Sequence, residues 1–184
     1  MRIPAISLLI LSLAAPAFSS TVPRKSPEFA FQLLDGKQVL LSQHWGKVIL
    51  VEFLFTTCPH CAHTAQLMTR LQKEYGPRGF QALGVAFNDM AGMLLPDFMR
   101  QNGVGFPMGV AARSQVLNYL QHNEDYRFVV PQVVIIDRKG MIRVQSKPDG
   151  SDVDFYSEKT LRGHIEALLA EGGARKTGGK AKKK

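Results

Sequence analysis

Phe53-Leu54-Phe55-Thr56-Thr57-Cys58-Pro59-His60-Cys61 joins a strand pattern to a helix pattern, and it contains both cysteines of the 184-residue chain. Residues 47–53 are β-branched and apolar on both faces, which predicts a buried strand. Residues 62–75 repeat apolar side chains at helical spacing, and Pro59 suits a first helical turn. Cys58 is therefore predicted to lie where a strand ends and a helix begins.

This placement of Cys58 favours redox chemistry. A sulfur at a helix N-terminus faces unpaired N–H groups and the positive end of the helix dipole, so thiolate is favoured over thiol. His60, when cationic, would add to this effect, and a stabilised thiolate makes a Cys58–Cys61 disulfide more oxidising. The alternatives are a structural disulfide, which would close almost no loop, and half of a zinc site. Zinc needs a second ligand pair that the sequence lacks, so no metal is predicted.

Residues 51–61 resemble the active site of the thioredoxin superfamily, and Cys-Pro-His-Cys is similar to that of the DsbA-type thiol oxidases. The wider frame, from Ser26 to about Ala170, resembles the TlpA/ResA type of extracytoplasmic thiol–disulfide oxidoreductase. The resemblance implies a thioredoxin-like three-layer α/β/α fold with a mixed central sheet. It also implies an N-terminal β-hairpin extension, one strand–helix insertion before the cis-proline strand, and no cofactor.

Glu52 stands out as a carboxylate in the middle of the apolar strand. Burial there is costly for a charge and should raise the pKa of the side chain. The resemblance implies a buried acid at this position that exchanges a proton with Cys61, the second sulfur. The alternative is a structural glutamate paired with Lys47.

Val130, Pro131 and Thr57 are the predicted substrate-binding residues. By resemblance Pro131 is a cis-proline that packs against the active-site disulfide, and Val130 offers its backbone to an extended substrate. The alternative is an ordinary trans proline at a sheet edge. Many TlpA-like proteins have a tryptophan where this chain has Thr57, so substrate contacts at that surface should differ.

The rest of the body alternates strand and helix patterns. Asp35-Gly36 is typical of a hairpin turn, and Pro96 predicts a break or a new start inside the helix over 91–101. The remaining predicted elements are strands over 80–87, 106–110 and 141–144, a strand begun by Pro131, and helices over 115–120 and 157–169.

Three segments are predicted: a signal peptide over 1–19, a thioredoxin-like domain over 20–172 and a disordered basic tail over 173–184. The alternative for the first segment is an uncleaved anchor. Six positive charges lie in the tail and one at Arg2, so the net charge of +8 leaves only +1 for the body. No nucleic-acid partner is therefore expected. Export predicts a periplasmic or other extracytoplasmic location, where disulfides persist.

The predicted function is thiol–disulfide exchange with cysteines of exported proteins through a mixed disulfide, with oxidation favoured over reduction. A membrane or periplasmic redox partner would reset the Cys58–Cys61 pair. One alternative is a copper metallochaperone that uses the reduced cysteines. Another is a thiol peroxidase, but peroxiredoxins show Pro-x-x-x-Thr-x-x-Cys, and Val51 and Phe55 stand at the matching positions here.

Overall fold

The fold is built on a mixed sheet of eight strands, seen in a computed structural model that describes residues 21–171. In chain order the strands are β1 Arg24–Lys25, β2 Ala30–Leu33, β3 Gln38–Leu40, β4 Val48–Leu54, β5 Phe80–Ala86, β6 Met108–Val110, β7 Gln132–Ile136 and β8 Met141–Gln145. The helices are α1 Pro59–Tyr75, α2 Ala91–Gln101, α3 Arg113–Leu120 and α4 Glu158–Glu171, with short 3₁₀ turns at Leu41–His44, Gly76–Arg78 and Val153–Tyr156.

Strand β4 occupies the middle of the sheet, whose order is β1-β8-β7-β4-β5-β6-β2-β3. It pairs parallel with β5 and antiparallel with β7, and every one of its residues is buried. Helix α1 connects the parallel strands β4 and β5, and the order of strand, helix and strand is the one that the sequence predicts. A strand covered on both faces must be largely apolar, which explains the unbroken run over 48–51.

Helices cover both faces of the sheet, so the predicted three layers are present. Leu67, Met68 and Leu71 of α1 pack at helical spacing against one face, together with the buried sides of α2 and α4. The opposite face packs against α3 and the N-terminal segment, which contributes Phe29 and Phe31.

Two additions to the sheet also agree with the prediction. The N-terminal hairpin pairs β2 with β3, and its turn contains Gly36 at a φ of 84°, where a side chain would be strained. The strand–helix insertion consists of β6 and α3, which lie between β5 and β7 in the chain. Strand β6 pairs parallel with β5 and antiparallel with β2, so it attaches the hairpin to the core sheet.

The predicted break at Pro96 is wrong, because α2 runs continuously from Ala91 to Gln101 with the proline inside it. Proline removes the N–H that would bond to the carbonyl of Gly92, but both residues are exposed, so this carbonyl can bond to water. Ala91, Leu95 and Phe98 are buried on either side of the proline and hold the helix to the core.

The predicted signal peptide over 1–19 and the predicted basic tail over 173–184 lie outside the described residues. Within residues 21–171, no helix has both the length and the apolar character needed to cross a bilayer.

Gly109 in β6 provides a test of the sheet packing. A Cβ atom at this position would collide with the backbone carbonyl of Gln32 on the paired strand β2. We expect Gly109→Ala to lower the free energy of unfolding by about 2 kcal/mol or more, because paired backbone cannot move aside. Urea denaturation followed by circular dichroism measures the change.

Gly92→Ala is the matched control, since a Cβ atom at this exposed position on α2 would have no neighbour within 4 Å. Alanine there should be neutral or stabilising by up to about 1 kcal/mol, because it favours helix more than glycine does. Equal stabilities of the two variants would contradict the described pairing of β2 with β6.

Candidate active site

Cys58 occupies the N-cap of α1, four residues after the end of β4. Its backbone is extended, and its Sγ accepts a hydrogen bond from the N–H of Cys61 at 3.3 Å. The Cys58 thiol also lies 3.7 Å from the carbonyl oxygen of Val130, to which it can donate. Both cysteines are free thiols, and Cys58 is partly exposed while Cys61 is buried. This asymmetry makes Cys58 the sulfur that an outside thiol can reach.

The surroundings of Cys61 oppose ionisation of its thiol. Burial raises the pKa of its thiol, and the nearby carboxyl of Glu52 raises it further. Cys61 therefore holds its proton at rest, and it can act as a nucleophile only when a neighbouring group accepts that proton.

Glu52 is fully buried in β4, on the sheet face that packs against α1. Neither carboxylate oxygen has a hydrogen-bond partner among the described residues. Burial raises the pKa of Glu52 well above its usual range, and the charge of Cys58 acts in the same direction. Glu52 is therefore a neutral acid in the resting protein.

The alternative that Lys47 pairs with Glu52 is wrong. The Nζ of Lys47 donates instead to Oε1 of Gln81 at 3.2 Å, near the opposite end of β4. Lys47 directly precedes β4, whereas Glu52 is the fifth of its seven residues, so the two side chains are separated along the strand.

Val130 and Pro131 lie beside Cys58, as the resemblance implies, and the peptide bond between them is cis. The alternative of a trans edge proline is wrong. The pairing of Phe53 with Gln132 in the sheet brings these segments together, because it sets the end of β4 next to the start of β7. Binding of substrate by Val130 and Pro131 stays a prediction.

His60 and Thr57 are both exposed next to Cys58. In the part of the chain that the structure describes, Cys58 bonds to Cys61 and Val130, and the His60 ring forms no hydrogen bond with it. Any effect of His60 on the thiolate must come from its charge. Thr57 is exposed directly before Cys58, and contact between Thr57 and a substrate stays a prediction.

Asn88 and Tyr156 are two site residues that the sequence analysis did not identify. Asn88 accepts a hydrogen bond from the N–H of Thr56 at 2.9 Å, so the loop after β5 fixes the turn before Cys58. The Tyr156 hydroxyl donates to the carbonyl of Pro131 at 2.7 Å. Neither contact has a local sequence signal, because the partners are 32 and 25 residues apart.

A pocket of about 300 Å³ opens beside this site. Its walls come from the first turns of α1, from Arg127 and residues 129–131, from residues 149–150, and from the 3₁₀ turn that contains Val153 and Tyr156. Val153 is 81% exposed at the rim, an unusual position for an aliphatic side chain. Val130 and Pro131 belong both to the pocket and to the surroundings of Cys58, so a chain bound at Val130 would lie next to this cavity.

Metal binding has little support in this geometry. Among residues 21–171, no three His, Cys, Asp or Glu side chains are grouped so that they could hold a metal ion. The copper hypothesis therefore lacks a third protein ligand beside Cys58 and Cys61 in the described region.

Comparison with known proteins gives one family match. The model of the AhpC/TSA family matches residues 22–145. The chain is 23% identical over 151 residues to the thiol-disulfide oxidoreductase ResA of Geobacillus thermodenitrificans, a match that covers 78% of this chain and 83% of that protein. It is 25% identical over 162 residues to probable glutathione peroxidase 8 of Mus musculus, covering 81% and 76% of the two chains.

Solved structures give the same fold. A thiol:disulfide interchange protein of the thioredoxin family from Chlorobium tepidum superposes with a TM-score of 0.66 at 22% identity, covering 82% of this chain and 99% of that one. A thiol:disulfide interchange protein from Bacteroides sp. superposes with a TM-score of 0.65 at 18% identity, covering 85% and 93%. These similarities agree with the predicted thioredoxin-like fold.

The buried acid leads to a prediction about stability and pH. As pH rises above 4.5, the ordinary pKa of a glutamate, the unfolded chain loses the Glu52 proton while the folded protein keeps it. The free energy of unfolding of the reduced protein should therefore fall as pH rises towards the raised pKa, by up to about 1.4 kcal/mol per pH unit. Glu52→Gln should lose this slope. Urea denaturation between pH 5 and pH 9 measures it.

Glu124→Gln, a change at an exposed glutamate, is the control and should keep the wild-type slope. If the wild type and Glu52→Gln vary identically with pH, Glu52 is not a neutral buried acid.

Proposed function

The chain belongs to the AhpC/TSA family and is a thiol–disulfide oxidoreductase, and we propose that it exchanges a Cys58–Cys61 disulfide with cysteines of exported proteins. The observation that carries this proposal is the arrangement at the N-terminus of α1. The accessible Sγ of Cys58 lies beside the carbonyl group of Val130. The carboxyl group of Glu52 lies near the buried thiol of Cys61 and raises its pKa.

The oxidation of a substrate proceeds in two exchanges. A substrate thiolate attacks Sγ of Cys58 in the disulfide form, so the bond between Cys58 and Cys61 breaks and a mixed disulfide forms. Cys61 leaves as a thiolate and takes a proton from Glu52. A second substrate thiolate then attacks the substrate sulfur of the mixed disulfide, and Cys58 leaves as a thiolate.

The products balance in electrons and protons. The two substrate thiolates lose two electrons and become a disulfide, while the Cys58–Cys61 pair gains them and becomes a Cys58 thiolate and a Cys61 thiol. Glu52 regains its proton from solvent during the cycle. A membrane or periplasmic redox partner then accepts the two electrons from the pair and restores the disulfide. Reduction of a substrate would follow the same steps in reverse, with Glu52 accepting the proton of Cys61.

The setting of Cys58 supports oxidation as the favoured direction. The Cys61 N–H and the N-terminus of the 17-residue helix α1 point positive partial charge at Sγ. A protein that stabilises the leaving thiolate stabilises its own reduced form, so its disulfide is the stronger oxidant. His60, exposed two residues after Cys58, adds positive charge to this region when it is protonated.

The peroxidase alternative does not account for the residues around Cys58, although one relative carries a peroxidase name. Val51 is a buried residue of β4, and Phe55 packs against Phe87, where the peroxide-binding pattern needs proline and threonine. An exported location is proposed from the signal pattern of residues 1–19.

The exchange mechanism predicts a covalent trap. In Cys61→Ala the mixed disulfide on Cys58 cannot be resolved from within the protein, so exported proteins should accumulate as adducts that a reducing agent releases. Non-reducing electrophoresis of the variant expressed with an export signal detects them, and mass spectrometry identifies them. Cys58→Ser is the control and should form none. Adducts that persist in Cys58→Ser, or none in Cys61→Ala, would contradict the proposal.

The direction of exchange has its own test. We expect the reduction potential of the Cys58–Cys61 pair, measured by equilibration with glutathione, to lie well above thioredoxin's roughly −270 mV. A potential as low as that of thioredoxin would leave the exchange mechanism intact but make the protein a reductase.

A further inference from the structure

Residues 129–133 carry the backbone that faces Cys58, and side chains from later parts of the chain hold this segment. Ser146 follows β8, and Tyr156 ends the 3₁₀ turn before α4. Gln132, the first residue of β7, and Ser146 are each only 1% exposed. Buried polar side chains are costly unless they are hydrogen-bonded, so the partners of these groups indicate what they do.

Tyr156 holds the segment from the side of the pocket. Its hydroxyl donates to the carbonyl of Pro131 at 2.7 Å. Burial raises the pKa of Tyr156 to about 12, so the hydroxyl keeps its proton and remains a donor at physiological pH. The bond fixes the carbonyl of the residue directly after Val130.

Ser146 and Gln132 hold the segment through a second set of hydrogen bonds. The Ser146 hydroxyl donates to Oε1 of Gln132 at 3.0 Å and accepts from the N–H of Val133 at 2.9 Å. The Gln132 amide then donates to the carbonyl of Val129 at 2.8 Å. These three bonds connect both ends of the segment to one buried network.

The backbone of Val130 differs from that of its neighbours in its hydrogen bonds. The N–H of Val129 is bonded to the carbonyl of Pro148 at 2.9 Å, but the N–H of Val130 has no hydrogen-bond partner within residues 21–171. The carbonyl of Val130 contacts Sγ of Cys58. The network therefore fixes the groups on both sides of Val130 and leaves its own N–H free to bond to an incoming chain.

We propose that Tyr156, Ser146 and Gln132 act as positioning residues, forming a polar clamp that holds Val130 ready to pair with an extended substrate beside Cys58. The inference rests on the proposed exchange of disulfides with polypeptides. A segment that is already ordered loses little conformational entropy when a substrate binds, so the clamp strengthens substrate binding without touching the reacting sulfurs.

The test compares two probes that the full chain oxidises in steady state, with excess oxidised glutathione present to restore the Cys58–Cys61 disulfide after each turnover. One is a synthetic peptide of about ten residues with two cysteines, which can pair with Val130, and the other is dithiothreitol, which has no backbone. In Tyr156→Phe we expect KM for the peptide to rise about fivefold with kcat little changed, in proportion to the loss of one hydrogen bond. The rate with dithiothreitol should stay at the wild-type value.

Tyr126→Phe is the matched control, because Tyr126 is exposed and its hydroxyl has no hydrogen bond among the described residues. It should leave both rates unchanged. Ser146→Ala removes the other half of the clamp and should also raise KM for the peptide alone, which keeps the test decisive if Tyr156→Phe fails to fold.

Two results would overturn the inference. One is a wild-type KM for the peptide in a folded clamp variant, and the other is an equal loss of rate with both probes, which would indicate general damage to the site. Failure of the proposed function looks different, because wild-type protein would then oxidise neither probe.

Discussion

The pairing of β4 with β7 is the constraint on which the site depends. It sets Phe53 opposite Gln132, so the chain that leaves β4 towards Cys58 meets the chain that enters β7 from Val130. Strand β5 pairs on the other side and returns the chain after α1, which fixes the direction of that helix. The reactive sulfur, the helix N-terminus and the open backbone are therefore brought together by the centre of the sheet, where every residue of β4 is buried.

The two sulfurs of the site lie in opposite electrostatic surroundings. Cys58 receives an N–H donor and the positive end of a helix, whereas Cys61 lies in surroundings that oppose negative charge. A neutral Glu52 with no partner among residues 21–171 is unfavourable for stability, since hydrophobic packing would use the same space at less cost. Its electrostatic coupling to Cys61 supports the proposal that Glu52 exchanges a proton with the buried sulfur.

Local patterns are sufficient to predict the central elements but not the contacts between them. The apolar run of β4, the helical spacing of α1 and the turn at Gly36 each depend on neighbouring residues, and all three are present. The prediction at Pro96 fails because the buried residues around it outweigh its local preference. The bond of Tyr156 to Pro131 joins residues that are distant in sequence, so no local pattern could predict it. Substrate binding by Val130 is predicted only from the family resemblance, because the residues around Val130 form no pattern that indicates a binding site.

The two ends of the sheet are formed by very short strands, with two residues in β1 and three in β3. Long unpaired strand edges recruit other extended chains and lead to aggregation. In the function proposed above, the protein would meet such chains among newly exported, incompletely folded polypeptides. Short edge strands offer little backbone for unselective pairing, so under this proposal a substrate chain would pair with the protein mainly at Val130, next to Cys58.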